Sequence, residues 1–258
     1  AFNNKDLAKE VALLKALKAH LEEGKLARSF VPEDEEQEEL WRKLALFYGY
    51  SGAVYEPREL KGAYFSLVKR QRRTLLEMEK EEHTELLLDK VFEELFEKKG
   101  VRADRGLVCA AGRMFRACST AYIRLYPEAK ELLLDLRERG ISVYLLSNAQ
   151  RLFTEPELKM LGIYELFDKI CISSDVGFCK PSHRFFKSLL REIPEKPGEC
   201  MMVGNDGEAD IRPARELGLK TCYIHSNLSP QGENPPCDYR MEKLAFRQGD
   251  ALSPTSLF

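Results

Sequence analysis

Little in this sequence points to nucleic acid, a membrane or a transition metal. Forty Lys and Arg stand against forty-two Asp and Glu, for a net charge near −2. There is therefore no polybasic surplus of the kind that attracts a phosphodiester backbone or an anionic bilayer. No apolar run approaches the roughly 20 residues that span a bilayer, and the N-terminus shows no basic-then-apolar signal segment. The four histidines, His20, His83, His183 and His225, are scattered and fit no metal-ligand spacing. Cysteine is present but unpatterned: Cys109, Cys118, Cys171, Cys179, Cys200, Cys222 and Cys237 are odd in number and contain no C-x-x-C pair. Reduced thiols in a cytoplasmic protein are expected, with Cys171, Cys200 and Cys222 acting as small hydrophobes inside apolar runs. The first residue is Ala1 rather than methionine, as expected of a processed, trimmed or incomplete product.

What is there suits a soluble globular chain. Its 258 residues are 44% apolar and 32% charged, enough for one large domain or two ordinary ones. Residues 1–121 read as helical throughout. Leu7, Val11, Leu14, Leu17 and Leu21 recur at three- and four-residue steps, and Leu40, Trp41, Leu44, Phe47 and Tyr48 share a stripe behind an acidic run. Further helices are expected after Pro57, from Leu88 to Gly100 and from Leu107 to Arg124, giving a helical, cap-like domain over 1–121. From Tyr126 the texture alternates. Ala129 to Arg139 reads as a helix, Ile141 to Asn148 as a buried strand, and short strands follow at Lys169–Ser173, Glu199–Val203 and Thr221–His225 with helices between. Asp238 to Glu242 is expected to add a short edge strand. Strand alternating with helix at this spacing specifies an α/β core over 122–258, a Rossmann-like parallel sheet with right-handed crossovers.

In such a sheet the carboxyl ends of the strands open onto one edge, where ligands bind. Three polar segments converge there. Ser147 and Asn148 follow the first strand, Lys180 follows the second, and Gly204-Asn205-Asp206-Gly207-Glu208-Ala209-Asp210 follows the third. Taken singly, each has a plainer reading: Ser-Asn as a turn, Lys-Pro as a solvated charge before a helix, Gly-Asn-Asp-Gly as a tight turn. Taken together, a hydroxyl, an ammonium and two carboxylates on one edge suit a phosphoryl group and a hard cation, since Mg²⁺ prefers one or two carboxylates plus water and phosphate oxygens. Lys69 to Arg73 is a basic cluster that reads as a solvated helix end. Arg113 and Arg116 lie on a helix from which a substrate anion could be reached.

The segment from Tyr122 to His225 resembles the core of the haloacid dehalogenase (HAD) superfamily, whose members are mostly phosphohydrolases. Ser147, in Leu-Leu-Ser-Asn-Ala-Gln, matches the family's second motif, and Lys180, in Cys-Lys-Pro, matches the third. Asp206 and Asp210, in Val-Gly-Asn-Asp-Gly-Glu-Ala-Asp-Ile, match the acidic fourth. The resemblance implies that Ser147 and Lys180 are catalytic, that Ser147, Asn148 and Lys180 bind substrate, and that Asp206 and Asp210 hold Mg²⁺, Asp206 being the better direct ligand because Asn205 stands where many members have the first acid. It also implies a central strand ending in Asp-x-Asp-x-Thr, whose first Asp is the nucleophile. No such stretch occurs here, and the chain is expected to lack that strand through omission or truncation of a longer protein, the rival expectation being a protein that has lost the motif. The expected function is Mg²⁺-dependent hydrolysis of a small phosphorylated metabolite, provided the nucleophile strand is present in the intact protein. The alternative is a phosphate-ester binder without turnover. A haloacid dehalogenase is the weaker alternative, because an acidic fourth motif serves a metal that dehalogenation does not need.

Overall fold

The computed structural model describes residues 11–14, 20–21, 35–78, 83–120, 123–126, 128–225, 229–230, 232 and 234–241. Among these residues six strands form one sheet: β1 (Val11–Leu14), β4 (Val143–Ser147), β5 (Lys169–Ile172), β6 (Cys200–Gly204), β7 (Lys220–Ile224) and β8 (Tyr239–Met241). Their order is β5-β4-β1-β6-β7-β8, and every pairing is parallel. A separate antiparallel pair joins β2 (His20–Leu21) to β3 (Ile123–Arg124).

All five residues of β4 are buried, and its alternation divides the core. Tyr144 and Leu146 pack with Phe185, Phe186, Leu189 and Met202 on one face of the sheet. Val143 and Leu145 pack with Leu133, Leu158, Phe167 and Val203 on the other. Burial on both faces is the reason the strand reads as a continuous apolar run rather than as apolar-polar alternation. The helices covering these faces include α5 (Ala129–Glu138), α6 (Arg151–Met160) and α7 (His183–Leu190).

Before β3, among the described residues, lie four helices that share a core: α1 (Glu35–Tyr50), α2 (Pro57–Met78), α3 (Leu88–Glu97) and α4 (Arg105–Ser119). Trp41, Leu44, Tyr48, Tyr64, Phe92, Phe96 and Phe115 are buried together. Tyr48 stacks on Phe96 at 4.2 Å between ring centroids, and Tyr64 on Phe115 at 5.2 Å. The Tyr48 and Tyr55 hydroxyls donate to the Phe92 and Leu95 carbonyls, so the polar ends of these rings are satisfied inside the bundle. Asp104 caps α4 by accepting the Leu107 N–H at 2.7 Å.

Three expectations are corrected. The helix expected from Leu7 to Leu21 is replaced, within the described residues, by β1 and β2. A four-residue apolar run satisfies a helical stripe and a buried strand equally, and the decision is made elsewhere: β4 and β6 each need a partner, and Val11–Leu14 pairs with both. The expected loss of the central strand is therefore corrected too, since β1 fills that place. Finally, the helix expected to reach Arg124 stops at Ser119, because Thr120 is extended (φ −124°, ψ 119°) and Ile123–Arg124 pairs with β2.

Candidate active site

Ser147 is the last residue of β4 and is 7% exposed. Its hydroxyl makes no hydrogen bond among the described residues, which leaves it available at the carboxyl edge. Asn148 behaves differently. Its Oδ1 accepts the Lys180 N–H at 2.7 Å and its Nδ2 donates to the Lys180 carbonyl at 2.9 Å. Both ends of the amide thus hold the Lys180 backbone.

The Lys180 side chain is fully enclosed. Its Nζ donates to the Leu146 carbonyl at 2.7 Å and lies 3.2 Å from Asp210 Oδ1. An ammonium taken out of water needs such partners, because desolvation costs several kcal/mol per ion. The Leu146 carbonyl is the one immediately before Ser147, so the lysine and the serine are presented at the same strand end.

The acidic segment wraps as a single turn after β6. Asp206 Oδ1 accepts the Ala209 N–H at 2.7 Å, capping the π-helical turn Gly207–Ile211. Asp210 Oδ2 accepts the Asp206 N–H at 3.1 Å. Gly204 makes this possible: a Cβ there would stand 2.4 Å from Asp210 Oδ2 and 2.6 Å from its Cγ, so any side chain would evict the carboxylate. The two acids consequently differ. Asp210 is buried, with one oxygen toward Lys180 and the other on backbone. Asp206 is half-buried, and its Oδ2 takes no hydrogen bond among the described residues. One open carboxylate oxygen beside a buried second carboxylate fits Mg²⁺, which keeps several waters and needs few protein ligands.

The structure thus brings Ser147, Lys180, Asp206 and Asp210 to one edge, from β4, from the loop after β5, and from the turn after β6. Arg116 does not join them. Its Nε pairs with Glu157 Oε1 at 2.6 Å and its guanidinium lies over the Phe153 ring, so it ties α4 to α6. Gly112 permits that approach, since a Cβ there would meet Leu152 at 2.3 Å.

A group of residues beside the edge had no signal in the sequence. His83 to Leu87, between α2 and α3, runs against the loop that delivers Lys180. Glu85 N–H donates to the Gly177 carbonyl at 2.8 Å, Cys179 N–H donates to the His83 carbonyl at 2.9 Å, and Thr84 pairs antiparallel with Phe178. Gln150, three residues after Ser147, reaches the same segment: its Nε2 donates to the Leu86 carbonyl at 2.6 Å and its Oε1 accepts the Leu88 N–H at 3.0 Å. A short irregular segment has no periodicity to read, and only its partners reveal its role.

Residues 12–218 match the family model described as haloacid dehalogenase-like hydrolase. The chain belongs to that family. Among curated relatives of this HAD chain, the phosphoserine phosphatase of Thermus thermophilus is 30% identical over 162 residues, covering 60% of this chain and 61% of that protein. The glyceraldehyde 3-phosphate phosphatase of Methanothermobacter thermautotrophicus is 32% identical over 127 residues, 49% of this chain and 56% of that one. The chain thus spans about three fifths of the length of the curated relatives it matches. The crystal structure of a HAD phosphatase from Thermococcus onnurineus superposes with a TM-score of 0.51 at 17% identity, covering 90% of this chain and 93% of that one. At that identity it bears on the fold alone, a Rossmann-like core accompanied by helices. Among the described residues no helix is long and apolar enough to cross a membrane.

Proposed function

We propose that this chain carries the phosphate- and cation-binding edge of a HAD-type phosphohydrolase acting on a small phosphate ester. The observation that carries the reading is the Lys180 ammonium, buried between the Leu146 carbonyl and Asp210 at the carboxyl edge of a parallel sheet, with the Ser147 hydroxyl and Asp206 beside it. Lys180 neutralises a phosphoryl oxygen, Ser147 donates to another, and Asn148 keeps the lysine aimed. Asp206, with Asp210 behind it, would hold Mg²⁺, which when bound supplies charge neutralisation for the phosphoryl oxygens. Helices α1–α4 act as a cap, screening the edge from bulk water, and the protein works in the cytoplasm. The relatives named above act on phosphoserine and glyceraldehyde 3-phosphate, which supports a small phosphorylated metabolite as the substrate class.

A second reading, binding without turnover, is favoured by one specific observation. Val11–Leu14 occupies the central place in the sheet, and the residues that follow it are Lys15, Ala16, Leu17 and Lys18. The nucleophile of the family is a carboxylate on the central strand, and neither a hydroxyl nor an ammonium replaces it without different chemistry. Phosphate release from a panel of phosphomonoesters with Mg²⁺, run beside calorimetry with the same esters, separates the two. Turnover abolished by Lys180→Ala and by Asp206→Asn supports the hydrolase; binding lost in those variants with no turnover in the parent supports the binder. Activity surviving both substitutions would remove the site assignment altogether.

A further inference from the structure

Gln150 stands at the N-terminus of α6, but its side chain serves a different part of the molecule. Its Nε2 donates to the Leu86 carbonyl at 2.6 Å and to Glu85 Oε1 at 3.1 Å, and its Oε1 accepts the Leu88 N–H at 3.0 Å. The two hydrogens of Nε2 thus meet two oxygens, and Oε1 meets a donor. The start of α6 does not depend on this side chain, because the Phe153 and Thr154 N–H groups donate to the Gln150 backbone carbonyl.

A second glutamine holds the residue in between. Gln71, on α2, accepts the Leu87 N–H with Oε1 at 2.8 Å and donates to the Leu87 carbonyl with Nε2 at 3.3 Å. Leu87 is extended (φ −103°, ψ 97°), and consecutive residues of an extended segment turn their backbone groups to opposite sides. The two amides therefore flank the segment as neighbouring strands would, Gln150 from the α/β core and Gln71 from the helices.

The plain reading of Gln150 is a cap for α3, which starts at Leu88, and one of its three bonds does that. The other two reach back toward the loop that carries the lysine. Glu85 N–H donates to the Gly177 carbonyl and Cys179 N–H to the His83 carbonyl, while Glu85 Oε2 is hydrogen-bonded to the buried Ser173 hydroxyl. Lys180 follows Cys179 directly. Its own N–H and carbonyl are held by Asn148, and the N–H of the residue before it is held by the strap.

We propose that Gln150 is a positioning residue for the anion edge: by gripping residues 85, 86 and 88 it keeps the His83–Leu87 strap seated on the Gly177–Cys179 loop, and through that loop it fixes where Lys180 stands. The inference rests on the reading of Lys180 given above and adds a condition to it. The edge holds a phosphoryl group at full strength only while the strap is seated.

The test compares the full chain with Gln150→Met, which keeps an unbranched side chain of similar length and removes both donor and acceptor. Amide hydrogen exchange is followed residue by residue, and inorganic phosphate binding is measured by calorimetry. Exchange of the Glu85 and Cys179 amides should accelerate by about tenfold, the effect of losing hydrogen bonds of ordinary strength, while amides of β4 and β6 keep their protection. Phosphate affinity should fall by about threefold to tenfold, although Ser147, Lys180 and Asp206 are untouched. A role confined to general stability would instead speed exchange in β4 and β6 as well. That pattern, unchanged exchange at Glu85 and Cys179, or phosphate affinity equal to the parent's overturns the proposal. Should Gln150→Met fail to fold, Gln150→Glu, which keeps the acceptor for Leu88 N–H and faces Leu86 and Glu85 without the amide donor, is judged by the same criteria. A parent that binds no phosphate removes the Lys180 reading and this inference with it; a parent that binds while the variant binds equally well removes this inference alone.

Discussion

Lys180 Nζ and Asp210 Oδ1 lie 3.2 Å apart, and solvent reaches neither side chain. A pair this enclosed is costly to break from one side, because the remaining charge keeps its desolvation penalty and loses its partner. Lys180→Ala is expected to destabilise the fold by roughly 3–5 kcal/mol in denaturant unfolding. Adding Asp210→Asn should recover part of that loss while phosphate binding stays absent. Equal stability of the single and double variants would show that the two groups do not interact.

Asp206 should separate binding from stability. Asn is as good a helix cap as Asp, so Asp206→Asn keeps the bond to the Ala209 N–H while removing the ligand charge. Unfolding free energy should change by less than about 1 kcal/mol, and Mg²⁺ affinity in calorimetry should fall to background. Unchanged Mg²⁺ binding would move the cation elsewhere.

Gly204 has no room for a methyl group. Gly204→Ala must displace the Asp210 carboxylate and with it the bond to the Asp206 N–H. The expected cost is about 1–3 kcal/mol from overpacking, accompanied by weaker phosphate binding. Full retention of both properties would mean that the turn relaxes freely.

Arg116 and Glu157 fasten the helices to the α/β core. Arg116→Ala strands a largely buried Glu157 carboxylate and should lower stability by roughly 2–3 kcal/mol. Glu157→Gln, which keeps an acceptor for the guanidinium, should cost less. The comparison of the two unfolding midpoints checks the assignment.

The thiols offer a readout that needs no ligand. Burial pushes Cys200 and Cys222 up to about 12, so at pH 8 only about one in 10⁴ of either is the reactive thiolate. Alkylation of these two should wait for unfolding. Rapid modification in the folded protein would contradict their enclosure in the sheet.

How far the sequence could be read depended on what each segment's neighbours contribute. The run Val143 to Ser147 carries its whole environment in its composition, and it forms the expected strand. Ser147, Lys180, Asp206 and Asp210 were legible because strand ends of a parallel sheet must converge, whatever lies between them in the chain. Val11–Leu14 was not, since four apolar residues with leucines at helical spacing on either side suit two periods; only the gap between β4 and β6 selects one. Glu85 was illegible for a different reason. Its side-chain partner Ser173 is eighty-eight residues away, and no local pattern encodes a hydrogen bond of that span.

The strand order β5-β4-β1-β6-β7-β8 has one more consequence. The sheet consists of two halves, β4–β5 and β6–β7–β8, each assembled from near neighbours in the chain, and among the described residues strand pairing joins them through β1. Lys180 belongs to the first half and Asp210 to the second, so their ion pair spans the seam that β1 fills. Loop closure over more than a hundred residues makes that seam the slow junction of the fold. Until it closes there is a lysine without its aspartate. Completing the sheet and completing the anion site are thus the same event, and an anion held at that edge would clamp the two halves together.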